Sequence, residues 1–278
     1  PEAKAAYVKA FEDKGIKVLD SIAMLPSEKL EGKIYGVSNQ SVINFRTSGK
    51  YSAESATQVM MGTPLQILEK KDGWTRAITP EGYISWVSSG SITYMDKAEF
   101  DAYQAAKKVI VTTKYATMYE GPSANSQMVS DVVWGNILLD KGTQGAWQKV
   151  AISDGREGYV LKSDVTDFNK WLDSRNPTAE NIIATAKQFI GVPYMWGGTS
   201  IKAVDCSGFC KSTYFLNGIV LARDASQQCL TGDNVDISKY TRFDVTITES
   251  FDGFTPTGEA TVYWLGTDTE FNTRLDVA

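Results

Sequence analysis

An internal repeat constrains the fold of the N-terminal part of this chain more than any other feature. A short apolar run, a tryptophan and a Gly-Tyr pair occur in that order, and the same order returns further along the chain. Such self-similarity indicates two copies of one folded unit. The matched segments are Gly62-Thr63-Pro64-Leu65-Gln66-Ile67-Leu68 with Trp74 and Gly82-Tyr83-Ile84, and Gly135-Asn136-Ile137-Leu138-Leu139 with Trp147 and Gly158-Tyr159-Val160.

Each copy has the pattern of a small antiparallel β-barrel. Short β-branched and apolar runs alternate with turn sequences such as Lys71-Asp72-Gly73 and Ser153-Asp154-Gly155. Units of about 50–60 residues lie near the lower size at which one core suffices for folding. We therefore expect a first barrel at residues 31–95 and a second at residues 111–168.

The segments around the barrels carry helical patterns. The sequence of residues 1–30 predicts a helix beginning at Pro1 and a strand at residues 16–19. We expect this segment either to pack on the first barrel or to be the remainder of a small, truncated α/β unit. Residues 96–110 predict a connecting helix between the barrels. A third domain is expected at residues 169–278, where Asn176-Pro177-Thr178-Ala179-Glu180 marks a helix start before an apolar stripe.

Composition excludes several classes of function. The chain of 278 residues has a formal net charge of −5 and no basic block, which argues against nucleic acid as the main partner. No run approaches the ~18 apolar residues that a membrane span needs. The chain contains no histidine. This absence excludes histidine-ligated metal sites and Ser-His or Cys-His catalytic pairs, and we expect neither a metal nor a cofactor.

The most specific segment places a cysteine at the start of a helix. Gly191-Val192-Pro193-Tyr194-Met195-Trp196-Gly197-Gly198 is followed by Asp205-Cys206-Ser207-Gly208-Phe209. The positive end of a helix dipole favours the thiolate form of a cysteine, and its free N–H groups can hold an oxyanion. Cys206 is therefore a candidate nucleophile, with a buried core cysteine as the alternative. Cys210 is interpreted as a core residue rather than a metal ligand, and Cys229 as structural or a free thiol.

These motifs resemble the NlpC-type cell-wall cysteine peptidases that carry N-terminal bacterial SH3-like domains. The combination of Tyr-x-Trp-Gly-Gly with Asp-Cys-Ser-Gly-Phe is specific for this family. Two barrels ahead of these motifs resemble the domain arrangement of the subgroup that cleaves γ-D-glutamyl-diamino acid bonds. The resemblance implies an α+β fold, in which two small SH3-like β-barrels precede a papain-like domain. It also implies peptidoglycan stem peptides or murein tripeptide as partners, and a location in the bacterial cell envelope, periplasmic or secreted.

The resemblance further implies a set of site residues. Cys206 aligns with the nucleophile, and the aspartate of Arg223-Asp224-Ala225-Ser226-Gln227 aligns with a residue that binds the free amine of the peptide's L-alanine. A carboxylate that pairs with a terminal ammonium would select peptides with a free end. The other residues that the resemblance places in the substrate pocket are Asp205, Ser207, Ser226, Trp196 and Trp86.

The chain departs from the family pattern at the general base. Members of the family carry a histidine on a strand after the nucleophile helix, where this chain has Ala260 or Thr261, and Asn272 is the candidate for the third polar position. A carboxylate, with an ordinary pKa near ~4, is poorly matched to that role. Three hypotheses remain: a cysteine endopeptidase, a stem-peptide binding module that has lost the chemistry, and an acyltransferase on the same scaffold.

Overall fold

The computed structural model describes residues 2–232 and the backbone of two later strands, at residues 242–246 and 259–263. The chain divides into two compact units, Pro1–Leu230 and Thr231–Ala278. The first unit contains two seven-stranded β-sheets, followed by a helical segment at residues 168–230 that includes one short two-stranded sheet. The second contains the two later strands.

The N-terminal segment contains a helix but no strand. Helix α1 spans Glu2–Glu12 and buries none of its residues. The strand expected at residues 16–19 is wrong, because this stretch is irregular and Leu19 is 94% exposed. Apolar residues form a strand only where a neighbouring backbone can pair with them. A short 3-10 helix, Glu28–Leu30, then brings Leu30 into the core of the first sheet.

The first sheet has seven strands in the order β3-β2-β6-β5-β4-β1-β7, all paired antiparallel. Phe45, Ile67 and Val87, each at most 1% exposed, lie in its apolar core. The strands are β1 (Tyr35–Ser38), β2 (Val42–Arg46), β3 (Ser55–Met60), β4 (Pro64–Lys71), β5 (Trp74–Ile78), β6 (Ile84–Ser88) and β7 (Ile92–Met95).

Helix α2, Lys97–Ala105, connects the two sheets. It begins with a capping box in which Asp96 accepts from the N–H of Glu99 at 2.8 Å and Glu99 accepts from the N–H of Asp96 at 2.9 Å. The helix is shorter than the predicted range of 96–110, because the backbone from Lys108 onward pairs as the first strand of the second sheet.

The second sheet repeats the first strand for strand, in the order β10-β9-β13-β12-β11-β8-β14. Adding seven to each strand number of the first sheet gives the strand order of the second sheet. The internal repeat in the sequence therefore corresponds to a repeated sheet topology. The strands are β8 (Lys108–Val111), β9 (Tyr115–Tyr119), β10 (Met128–Val133), β11 (Ile137–Gln144), β12 (Trp147–Ala151), β13 (Glu157–Leu161) and β14 (Val165–Asp167).

The register of the sheets corrects one part of the sequence match. Trp74 pairs with Ser88 and Trp147 pairs with Leu161, so the tryptophans are equivalent. The same registers place Tyr159 at the position of Trp86, not of Tyr83. The Gly-Tyr pairs are therefore similar in sequence but three residues out of structural register. A dipeptide match cannot detect this shift, because register follows from the turn and the burial pattern.

The repeated glycine of the two copies lies where the sheets meet. Gly62 has φ +84°, and a Cβ there would lie 2.2 Å from the carbonyl oxygen of Ile137. The N–H of Ile137 donates to the carbonyl of Met61 at 3.0 Å, and the Asn136 side chain donates to the carbonyl of Ser41 at 2.9 Å. A glycine at position 62 lets the two backbones approach closely enough for these bonds.

The helical segment packs on both sheets. Its core joins Phe189, Ile201 and Leu216 to Val133 of the second sheet. None of the helices in the described part of the chain could span a lipid bilayer. The elements are α3 (Phe168–Asp173), α4 (Ala179–Lys187), β15 (Thr199–Ser200), β16 (Ala203–Val204), α5 (Cys206–Phe215) and α6 (Ala225–Gln228); in the second unit β17 (Arg242–Thr246) pairs antiparallel with β18 (Glu259–Tyr263).

Two antiparallel sheets are followed by a segment of helices and short strands. This architecture confirms the predicted α+β fold class.

Candidate active site

Cys206 is the first residue of helix α5 and its side chain is exposed. Asp205 caps the helix, and its Oδ1 accepts from the N–H of Gly208 at 2.7 Å. A Cβ on Gly208 would lie 1.9 Å from the carbonyl oxygen of Gly198, so the helix start packs directly on the Gly197-Gly198 turn. The exposed thiol contradicts the alternative of a buried core cysteine at this position.

A buried ion pair fixes the start of this helix. Asp205 is 4% exposed and Arg223 is 3% exposed. The Nη2 of Arg223 lies 2.6 Å from Oδ2 of Asp205, and its Nη1 donates to Oγ of Ser207 at 2.8 Å. The Nε of Arg223 donates to Oγ1 of Thr57 on β3 at 2.9 Å. One guanidinium therefore connects the residues on both sides of Cys206 to the first sheet.

The charge state of Asp205 follows from these contacts. Burial on its own raises the pKa of Asp205, but the hydrogen bonds from Arg223 and from the N–H groups of Gly208 and Gly197 outweigh burial. The pKa of Asp205 is therefore held below its ordinary value. The carboxylate stays ionised as the counterion of Arg223, which makes it a structural group rather than a proton carrier near neutral pH.

Cys206 opens into a cleft of 370 Å³ between the helical segment and the first sheet. Tyr83, in the turn before β6, and Glu54, just before β3, form part of the wall on the sheet side. The complete lining is Thr47, Glu54, Ser55, Ala56, Tyr83, Trp196, Asp205, Cys206, Ser207, Arg223, Asp224, Ala225 and Ser226.

The electrostatic environment of the cleft is acidic. Burial is the largest cause of the raised pKa of Tyr83, and the charge of Asp224 is the next. Glu54 and Asp205 raise this pKa further, while Arg223 lowers it. Because Arg223 is paired with Asp205, the charges of Glu54 and Asp224 remain uncompensated within the lining. Such a wall attracts a cation and disfavours an anion.

The structure brings most of the predicted site residues to this cleft. Cys206, together with Asp205, Ser207, Asp224, Ser226 and Trp196, belongs to its lining.

Trp86 is not among the residues that line it. The indole of Trp86 lies instead beside Gly49, and the residue pairs with Arg46 and Arg76 across the sheet. The position that faces the cleft is Tyr83, three residues earlier along the chain.

The residues proposed for the histidine and third polar positions all belong to the second unit. Ala260 and Thr261 lie on β18, where they pair with Val245 and Asp244 of β17. Asn272 lies outside the described residues. The absence of histidine holds for the whole sequence, so every position of this chain lacks an imidazole base.

The sequence did not predict several residues of the cleft, and three of them matter for its chemistry: Tyr83, Arg223 and Glu54. Tyr83 was named only as part of the repeated Gly-Tyr pair, although the turn sequence Thr79-Pro80-Glu81-Gly82 just before it indicates a loop position. Arg223 precedes the predicted Asp224, but nothing in the local sequence indicates that it reaches Asp205. Glu54 carries no sequence signal, because its role depends on how the first sheet packs against the helical segment.

The other two cysteines differ in exposure and lie outside the cleft lining. Cys210 is half-buried, and burial, with a smaller effect of Cys206, raises the pKa of its thiol. Cys229 is exposed, with its Sγ 3.1 Å from the carbonyl of Ser226. Within the described part of the chain, no group of three or more His, Cys, Asp or Glu residues could hold a metal ion.

Two family models match this chain. The NlpC/P60 family matches residues 191–268, which include the turn before Cys206 and helix α5. The bacterial dipeptidyl-peptidase SH3 domain matches residues 45–92, which lie within the first sheet.

Curated relatives match most of the chain. A γ-D-glutamyl-L-lysine dipeptidyl-peptidase of Bacillus cereus is 31% identical over 188 residues, which cover 65% of this chain and 56% of the relative. Dipeptidyl-peptidase 6 of Lysinibacillus sphaericus is 28% identical, with 62% and 66% covered. A γ-D-glutamyl-L-lysine dipeptidyl-peptidase of Bacillus subtilis is 28% identical, with 65% and 60% covered. The matches thus span less than two thirds of each relative.

Solved structures show the same fold. An NlpC/P60 family protein from Bacillus cereus superimposes with a TM-score of 0.66 at 21% identity, covering 84% of this chain and 88% of that protein. An NlpC/P60 endopeptidase from Photobacterium damselae gives a TM-score of 0.54 at 18% identity, covering 79% and 49%. This chain therefore carries an NlpC/P60 family domain and, ahead of it, a bacterial dipeptidyl-peptidase SH3 domain.

Proposed function

We propose that this protein binds peptidoglycan stem peptides that begin with a free L-alanine, in the cleft beside Cys206. The observation that carries the proposal is the acidic wall formed by Glu54 and Asp224 around Tyr83, in the same cleft as the exposed thiol. A terminal ammonium fits this wall, and an acetylated terminus would leave both carboxylates without a cationic partner. Two of the curated relatives are named for peptides of the γ-D-glutamyl type.

The position of Cys206 supports a second candidate function, hydrolysis of the γ-D-glutamyl-diamino acid bond. An exposed thiol on the first residue of a helix is placed to attack a carbonyl, with backbone N–H groups nearby to hold the oxyanion. The attack forms a thioester and releases the diamino acid as an amine, which must gain a proton; water then hydrolyses the thioester.

The missing histidine separates the two candidates. A papain-like reaction normally uses an imidazole to take the thiol proton and give it to the leaving amine. This chain has no such group, and the carboxylate next to Cys206 is occupied by Arg223. We therefore propose peptide binding as the main activity, with Cys206-dependent cleavage far slower than binding and release. We also propose a location in the cell envelope, periplasmic or secreted, where such peptides arise.

Calorimetric titration with L-Ala-γ-D-Glu-meso-diaminopimelate and with its N-acetyl derivative tests the binding proposal. The free peptide is expected to bind at least about tenfold more tightly than the acetylated one, since an ammonium-carboxylate contact contributes over about 1.4 kcal/mol when partly desolvated. Asp224→Asn should remove most of this preference. Glu157→Gln, an exposed change on the second sheet, is the matched control. Equal affinity for the two peptides, or no binding, contradicts the proposal.

Dipeptide release from the same peptide tests the second candidate. Hydrolysis requires that L-Ala-D-Glu appears with the wild-type protein and is absent with Cys206→Ala. Equal product levels for the two proteins leave binding as the activity. A cysteine-dependent rate in the range of about 1–10³ s⁻¹ would show that this chain is a working peptidase despite the missing imidazole.

A further inference from the structure

The turn between β5 and β6 carries Tyr83 into the cleft. Two backbone bonds define it: the N–H of Thr79 donates to the carbonyl of Tyr83 at 3.0 Å, and the N–H of Gly82 donates to the carbonyl of Thr79 at 2.9 Å. The N–H of Tyr83 also donates to Oγ1 of Thr79 at 3.3 Å. Gly82 has φ +83°, which a glycine adopts without strain. The position of the turn therefore decides where Tyr83 lies.

A buried ion pair connects this turn to the nucleophile helix. The Oε1 of Glu81 lies 3.2 Å from the Nζ of Lys211 on α5. The side chain of Glu81 is 4% exposed and that of Lys211 is 17% exposed. Oε1 lies outside hydrogen-bonding geometry, so the contact is a charge interaction. Lys211 and Cys206 belong to one continuous helix, which makes Lys211 a rigid reference point for the thiol.

The surroundings of the pair leave little room for solvent. A cavity of 60 Å³ lies beside it, lined by Pro80, Ser212, Phe215 and Val220 among others. A carboxylate in such a place is costly unless a cation compensates it, and losing one partner costs more than losing both. The pair therefore favours a single arrangement of the turn against α5.

The second copy of the repeat shows that the barrel does not itself need this contact. Its equivalent turn has the same two backbone bonds, from Ile152 to Arg156 and from Gly155 to Ile152. Asp154 takes the place of Glu81 there, and it pairs within its own turn with Arg156 at 2.7 Å. The turn of the second copy thus folds without an ion pair to a helix. The ion pair between Glu81 and Lys211 occurs in the first copy, whose turn carries Tyr83.

We propose that Glu81 and Lys211 form a positioning pair, which holds Tyr83 at a set distance from Cys206 and so determines how tightly the cleft binds its peptide. Neither residue touches the peptide; both act through the turn and the helix. This inference rests on the proposed function, since its main readout is affinity for the stem peptide.

The test compares Lys211→Met with a charge-reversed double variant, Glu81→Lys with Lys211→Glu. Lys211→Met should weaken binding of L-Ala-γ-D-Glu-meso-diaminopimelate about tenfold, and the reversed pair should restore affinity to within about threefold of wild type. Lys149→Met, which removes an exposed pair with Glu157 on the second sheet, should change nothing. Lys211→Arg keeps the charge and serves as the conservative variant if Lys211→Met fails to fold.

Hydrogen exchange separates failure of this inference from failure of the proposed function, because it needs no peptide. The amides of Gly82 and Tyr83 should exchange faster in Lys211→Met, while those of Gly155 in the second copy keep their wild-type rates. Unchanged exchange at residues 79–83 overturns the positioning pair, whatever the peptide does. Lower global stability with unchanged peptide affinity also overturns it, since the pair would then stabilise the fold without setting the site.

Discussion

Replacement of Arg223 by methionine tests the electrostatic account of the cleft beside Cys206 most directly. Methionine keeps much of the side-chain length and fills the buried space, but it removes the cation and all three donating nitrogens. Asp205, which is 4% exposed, would then keep its bonds from the N–H groups of Gly208 and Gly197 and a longer one from Oγ of Ser207 at 3.4 Å. Oγ1 of Thr57 would lose its contact with Arg223.

The size of the effect follows from the burial of the pair. Breaking a buried ion pair by removing one partner costs about 3–5 kcal/mol. Two backbone bonds to Asp205 survive, so we expect a value near the lower end, about 3 kcal/mol. That is a large part of the about 5–15 kcal/mol by which folded domains are stable.

Urea unfolding at pH 7 measures the change, with Lys149→Met as the control for an exposed pair. The control should stay within about 0.5 kcal/mol of wild type. Adding Asp205→Asn to Arg223→Met should recover part of the loss, because the uncompensated charge is then removed as well. A loss below about 1 kcal/mol for Arg223→Met, or no recovery in the double variant, would refute the reasoning, since Asp205 would then not depend on its buried partner.

Three further predictions follow from the same contacts. In wild type the lowered pKa of Asp205 contributes stability above about pH 4, and this stability is lost as pH falls through the folded-state pKa. Arg223→Met removes the largest cause of the lowering, so the loss of stability on acidification should be smaller in the variant; an equal loss in acid titrations followed by circular dichroism would contradict this. Gly208→Ala should destabilise the fold by about 1–3 kcal/mol or more, because its Cβ meets the carbonyl of Gly198; equal melting temperatures would contradict this close packing. Tyr103→Phe should cost about 1 kcal/mol in urea unfolding, because the carbonyl of Gly62 loses a donor at 3.1 Å; an unchanged free energy of unfolding would mean that water replaces the hydroxyl.

Tertiary structure decided what faces Cys206. Trp86 and Trp196 were both expected in the cleft, but only Trp196 lines it. Trp86 pairs with Arg76 within the first sheet, and Tyr83, in the turn before β6, lines the cleft instead. Glu54 and Arg223 enter the site only through the packing of the first sheet on the helical segment. Contacts between residues far apart in the chain depend on strand register and on how the sheet packs against the helices. The spacing of residues along the sequence does not predict either.

The sequence by itself determined the features whose causes are local. A capping aspartate, a cysteine at the next position and a close-packed glycine two residues after that cysteine specify the start of α5, because a helix end is satisfied by groups within a few residues. The repeat likewise determined that two sheets share one topology. The absence of histidine excluded an imidazole general base, because the amino-acid composition is the same whatever the fold. The three-dimensional arrangement decided the acidic wall and its Tyr83, because charges act on one another through space rather than along the chain.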